Sequence, residues 1–115
     1  MTRRAPGYLR PATRRWWAMV CSEWTLEEHH VRLLTLAASA WDRAEQAREV
    51  IDRDGLVVQT RYSGPKRHPC IAIESESRIA FARLLRELDL DVDPPSEASR
   101  PPTLRSVRGR SGDAS

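Results

Sequence analysis

Apolar residues recur at helical spacing in three stretches of this chain. The first lies between Ala12 and Glu23, where Trp17, Val20, Cys21 and Trp24 fall at i, i+3, i+4 and i+7 and define one face. Trp16 and Met19 flank it, and helical spacing favours core packing over base stacking for these aromatics. The second and longest stretch runs over 26–54. Thr25 and Glu28 have the spacing of a capping box before it, and Gly55 suits a left-handed residue just past its end. From Val31 to Trp41 nearly every position is apolar or small, which predicts burial on more than one side. From Asp42 onward only Ala44, Ala47 and Ile51 keep the three-four spacing, and charged residues fill the gaps. At ~1.5 Å per residue such a helix outruns the core of one small protomer, so this narrow stripe is expected to need a partner.

The third stretch covers 69–88. Ile73, Ser77, Ala80, Leu84 and Leu88 form one row, joined by Phe81 and Leu85. A second row, Ala72, Ser75, Ile79 and Ala82, lies on another side. Two rows predict two contacts, one within the subunit and one between subunits. Pro69 suits the first helical position and makes His68 the expected N-cap. Between the second and third helices, residues 56–62 (LVVQTRY) read as a short strand or one arm of a hairpin, followed by a Ser63-Gly64-Pro65 turn, after which Lys66-Arg67-His68-Pro69 leads into the last helix. The predicted fold is therefore mainly α, with three helices and one short β-prone connector. Residues 1–11 mix Arg, Pro and Gly and are expected to form a mobile basic arm. Residues 12–93 form the helical domain, and 94–115, rich in Pro, Ser and Arg, are expected to be a disordered tail.

Charge changes the picture at the ends. Residues 1–24 carry five Arg against one acid, residues 25–93 carry ten basic and thirteen acidic residues, and residues 94–115 carry four Arg against two acids. An acidic-to-neutral body with basic ends suits an anionic partner touched by the termini. All but one of the nineteen basic residues are Arg, which suits bidentate phosphate contact but equally reflects codon bias. No run is apolar and long enough to span a bilayer, and no signal peptide is evident, so a soluble intracellular protein is expected. Cys21 and Cys70 are too few for a disulfide framework and are expected to be reduced and buried.

The sequence offers little chemistry. His29 and His30 are adjacent on a helix and project about 100° apart, and His68-Pro69-Cys70 lacks metal-ligand spacing. The carboxylates alternate with Arg, as on a solvated helix face, rather than pairing in an apolar cleft. Gly64-Pro65-Lys66 lacks the repeated Gly and the Ser/Thr of a phosphate loop. No nucleophile–base pair stands out. The expectation is a non-enzyme without metal or cofactor.

The order of motifs resembles the small-terminase-subunit family of tailed double-stranded-DNA phages, in its short helical branch without an obvious helix-turn-helix. The residues that carry the resemblance are Trp16-Trp17, the run Ala40-Trp41-Asp42-Arg43-Ala44, and Gly55-Leu56. They continue with Gly64-Pro65-Lys66-Arg67-His68-Pro69 and with Arg83-Leu84-Leu85-Arg86-Glu87-Leu88-Asp89-Leu90 before the Pro-rich tail, so that the likeness covers 13–95. Asp89 departs from the pattern, since relatives often have Gly there. The resemblance implies an oligomeric ring, in the host cytoplasm of a phage or prophage, that recognises viral double-stranded DNA. Such a ring hands the DNA to the large terminase subunit and modulates its ATPase and nuclease, with no catalytic residues of its own.

No DNA-contact motif carries over from the family, so the candidate contacts rest on charge: Arg3, Arg4, Arg10, Arg14, Arg15, Lys66 and Arg67. The candidate oligomer interface is Ala44, Ala47, Ile51, Ala72, Ile79 and Ala82. Alternative readings are a small helical DNA-binding regulator, which lacks a clean base-reading helix here, and a helical protein-interaction module for which the basic ends carry no role.

Overall fold

A computed structural model describes residues 3–90 and 92–95. The chain forms α1 (Pro11–Glu23), α2 (Glu28–Asp54), β1 (Val57–Thr60), β2 (Gly64–Arg67) and α3 (Cys70–Leu88). The mainly helical reading holds, with small boundary shifts. α2 starts later than Thr25 because a different capping box is used: Glu27 is the N-cap, and its backbone N–H donates to His30 Nδ1 at 3.2 Å. At the other end Gly55 adopts φ 87° and ψ 174°, a region essentially reserved for glycine, and its N–H closes the helix on the Ile51 carbonyl.

α2 and α3 form an antiparallel hairpin. Its register follows from side-chain pairs along its length: His68 with Asp54, Glu74 with Arg48, Arg78 with Glu45, and Phe81 with Trp41. The apolar pattern of both helices explains the pairing, because Ala37, Ala38, Ala44, Ala47 and Ile51 of α2 are all buried, as are Ser77, Phe81 and Leu88 of α3. This corrects one expectation. Ala44, Ala47 and Ile51 are sealed within a single chain, because α3 folds back along the second half of α2 and small alanines let the helices come close. They are not available as an oligomer surface. On α3, by contrast, Ala72, Ile79 and Ala82 remain exposed in the protomer.

α1 lies across this hairpin. Trp16 and Trp17 are both buried, and Phe81 ties the three helices together, with ring centroids 6.0 Å from Trp16 and 5.0 Å from Trp41. The indole N–H of Trp17 donates to Thr35 Oγ1 at 3.0 Å. Trp24 is only half-buried, and its indole N–H has no acceptor among the described residues. Cys21 and Cys70 are free thiols, half-buried rather than fully enclosed.

Both segments expected to be unstructured have described residues packed on the fold. Residues 3–10 fold back along α1, with Leu9 buried and its N–H bonded to the Pro6 carbonyl, so the described part of the arm is packed. At the far end the Trp16 indole donates to the Asp93 carbonyl at 2.6 Å and Pro95 is buried, which extends the packed body past residue 93. The remainder of the expected tail lies outside the described residues.

Of the two readings of the connector, the hairpin is the one that forms. β1 and β2 pair antiparallel, Val57 with Arg67 through Thr60 with Gly64. Lys66 and Arg67, expected to lead into the last helix, are the second arm of this ribbon. Gly64 takes φ 76°, which a side chain would resist. α3 then begins at Cys70 with Pro69 at the N-cap position, yet the imidazole of His68 does the capping by accepting the Cys70 N–H at 3.0 Å. α3 ends on Asp89 in the left-handed conformation (φ 57°, ψ 42°), which accounts physically for a preference for Gly there.

Candidate nucleic-acid interface

The structure separates the seven basic residues singled out by charge into three groups. Arg3, Arg4, Arg14 and Arg15 line one concavity of about 470 Å³, floored by Ala5, Pro11 and Ala18. The geometry arises from the arm running antiparallel to α1, which sets Arg3 and Arg4 beside a helix face that presents Arg14 and Arg15. Within the group the roles differ. Arg14 Nη1 donates to the carbonyls of Leu9 and Gly7, so part of its donor set holds the arm's turn. Arg3 approaches Glu28 at 3.7 Å, an exposed pair worth little. Arg4 and Arg15 are unpaired among the described residues and have the guanidinium donors free for an anion.

Arg10 belongs elsewhere. Its guanidinium makes a bidentate pair with Glu49, at 2.7 and 3.0 Å, while its backbone N–H donates to Asp42 Oδ2 at 2.8 Å. The pairing raises the Arg10 pKa and lowers that of Glu49. A cation already neutralised in this way has little left for phosphate. Arg10 braces α1 against α2 and is withdrawn from the contact set.

Lys66 and Arg67 form the third group, exposed on β2. The ribbon leaves from the C-terminal end of α2, whereas the arm reaches its N-terminal end through the Arg3–Glu28 pair. The two basic surfaces are thus separate. Acidic side chains lie between them: Asp42, Glu45 and Glu49 on α2, and Glu74 on α3. These carboxylates are matched internally by Arg10, Thr13, Arg48 and Arg78.

Charge counting overlooked two residues. Arg61 and Tyr62 sit in the turn between β1 and β2, and Tyr62 is 90 % exposed. The signal was available, since the chain carries no acid from Gly55 to Ile73 but includes Arg61, Lys66 and Arg67. A hairpin arm over 56–62 does not by itself reveal that Gly64–Arg67 is the return strand, which brings Lys66 and Arg67 into one element with Arg61. Among the described residues no cluster of three or more His, Cys, Asp or Glu is arranged to hold a metal ion, and no helix is long and apolar enough to cross a membrane.

The sequence pattern of the phage terminase small-subunit family matches residues 13–102. The chain belongs to that family. The match takes in α1 from Thr13 onward, α2, the ribbon and α3, so the basic surface on β2 and the pair Arg14–Arg15 lie within the family region. Arg3, Arg4 and Arg10 precede it. Comparison with curated proteins and with solved structures gives no match.

Proposed function

We propose that this terminase small subunit is the DNA-recognition adaptor of a packaging motor. As an oligomeric ring it binds viral double-stranded DNA at the start of packaging, delivers it to the large terminase subunit and regulates that subunit's ATPase and nuclease. It has no catalysis, metal or cofactor of its own and works in the host cytoplasm. The observation that carries the DNA contact is the convergence of Arg3, Arg4, Arg14 and Arg15 on one concavity in a chain of this family. A concave cluster of guanidiniums focuses positive potential and offers bidentate donors to phosphate oxygens. Lys66 and Arg67 supply a second basic surface.

The test is a titration of duplex DNA at several salt concentrations. The variant is Arg4→Ala/Arg15→Ala, since truncating Arg14 would also release the turn that it holds. Each lost phosphate contact lowers the slope of log K against log salt by about 0.9, so the double variant is expected to lose about 2 from the slope. Equal affinity and slope in variant and wild type would reject the cluster as the contact.

A further inference from the structure

We infer that the β1–β2 ribbon is a second DNA-reading element that enters the major groove tip-first, with Tyr62 meeting base edges and Lys66 and Arg67 gripping the two phosphate walls. The inference rests on the duplex-DNA reading and deepens it, by naming a site and a mode of contact that charge alone does not supply.

The ribbon is free to act in this way. No residue from Leu56 to Arg67 is buried, so neither of its faces is consumed by packing. A lone two-stranded hairpin is marginal in water, and this one gains from a partner. Its tip is nonetheless defined. Thr60 Oγ1 donates to the Gly64 carbonyl at 2.6 Å and accepts the Ser63 N–H at 3.1 Å, which pins the turn that carries Tyr62. At the base, the His68 N–H bonds to the Leu56 carbonyl at 2.8 Å and continues the ladder into the helix.

The charge placement points to a groove rather than a flat surface. Side chains alternate along a strand, so adjacent Lys66 and Arg67 project from opposite faces of the ribbon. A cation on each face is of little use to a ribbon lying flat on an anionic patch. It suits a ribbon standing between two anionic walls. The dimensions agree: a sheet with its side chains is ~10 Å thick, against ~12 Å for the width of the major groove. Strands of four residues reach ~13 Å and the groove is ~8.5 Å deep, so the tip reaches the floor while the Lys66–Arg67 end of β2 stays near the mouth. Arg61 lies with its guanidinium carbon 5.9 Å from the Tyr62 ring centroid and adds a donor at the tip. Nearby, the Asp54 carboxylate is occupied by Arg53 and His68 and does not cancel the ribbon's charge.

The experiment uses the full chain, with Arg61→Gln/Lys66→Gln/Arg67→Gln as one variant and Tyr62→Ala as another. The probes are a duplex carrying 5-bromouracil and, as competitor, poly-glutamate. All four positions are exposed, so circular dichroism and native mass are expected to match wild type. The triple variant is expected to bind at least tenfold more weakly near 0.1 M salt and to lose about 2–3 from the salt slope. Tyr62→Ala is expected to lower affinity several-fold with the slope unchanged, and irradiation of the wild-type complex is expected to cross-link Tyr62. If the triple variant misfolds, Lys66→Gln alone must still lower the slope by about 1. Wild-type affinity and slope in the ribbon variants would overturn the inference while leaving the arginine concavity standing. Loss of affinity without a cross-link at Tyr62 would overturn tip-first entry. Wild-type duplex affinity in the triple variant, together with loss of the poly-glutamate binding that wild type shows, would assign the ribbon to an acidic protein instead. Failure of wild type to bind any duplex would reject the underlying DNA reading.

Discussion

His68 sits where α2, the ribbon and α3 meet, and each of its polar atoms has a task. Its Nδ1 accepts the Cys70 N–H at 3.0 Å, which leaves the proton on Nε2 to donate to Asp54 Oδ2 at 3.2 Å. Its carbonyl accepts the Ile71 N–H at 3.1 Å. Arg53 first and His68 second hold the Asp54 carboxyl down at about 2. The side chain is 6 % exposed, so its loss strips a buried helix start of its acceptor. His68→Ala is expected to cost about 1–3 kcal/mol in thermal or urea unfolding. His68→Asn keeps an acceptor in reach of the Cys70 N–H and is expected to recover part of that loss. Equal destabilisation by both would mean that the ring's volume matters and its cap does not.

At the scale of elements, the joint between α1 and α2 turns on Asp42. Its carboxylate accepts the Arg10 backbone N–H through one oxygen and the Thr13 hydroxyl through the other, so one side chain of α2 terminates the N-terminal end of α1. Thr13 is buried, and Asp42→Ala would leave its hydroxyl without an acceptor. The variant is expected to lose about 1–3 kcal/mol and to speed hydrogen exchange in residues 9–14 while the α2–α3 hairpin stays protected. Uniform exchange changes across the chain would show that α1 has no separate joint. Asp42 also illustrates what could be read in advance. The run Ala40-Trp41-Asp42-Arg43-Ala44 was legible as a motif, and the three helices were legible because tryptophans and alanines repeat at 3.6-residue spacing. The partners of that motif were not legible. Arg10 reads as a free cation until its bidentate pair with Glu49, thirty-nine residues away, is seen. The ribbon was legible only by its first arm, for a similar reason: Gly64-Pro65-Lys66-Arg67 has weak strand propensity and becomes a strand only by pairing with Val57–Thr60.

For the whole molecule, the question is which apolar surface a sister copy would cover. The stripe Ala44, Ala47 and Ile51 looked open in a one-dimensional pattern because nothing along α2 reveals that α3 returns over it. Its burial shifts the proposed seam to α3, where Ala72, Ile79 and Ala82 stay exposed and Ile79 leaves 49 % of its surface in water. Scattered exposed apolar residues are normal, but three on one helical face at spacings of seven and three form a continuous row of the kind that packs against a neighbouring helix. Two substitutions separate interior from seam. Ile79→Asp is expected to lower the native mass of the full chain from a ring to small species, while intrachain stability at low concentration changes by less than about 0.5 kcal/mol. Ala47→Asp places a carboxylate inside the α2–α3 hairpin, where burial of an unpaired charge is expected to unfold the protomer outright. If Ile79→Asp keeps the wild-type mass, the seam lies on another face. If wild type itself remains monomeric at high concentration, an adaptor that encircles or presents DNA as a ring has no structural basis in this chain, and the exposed row is merely surface.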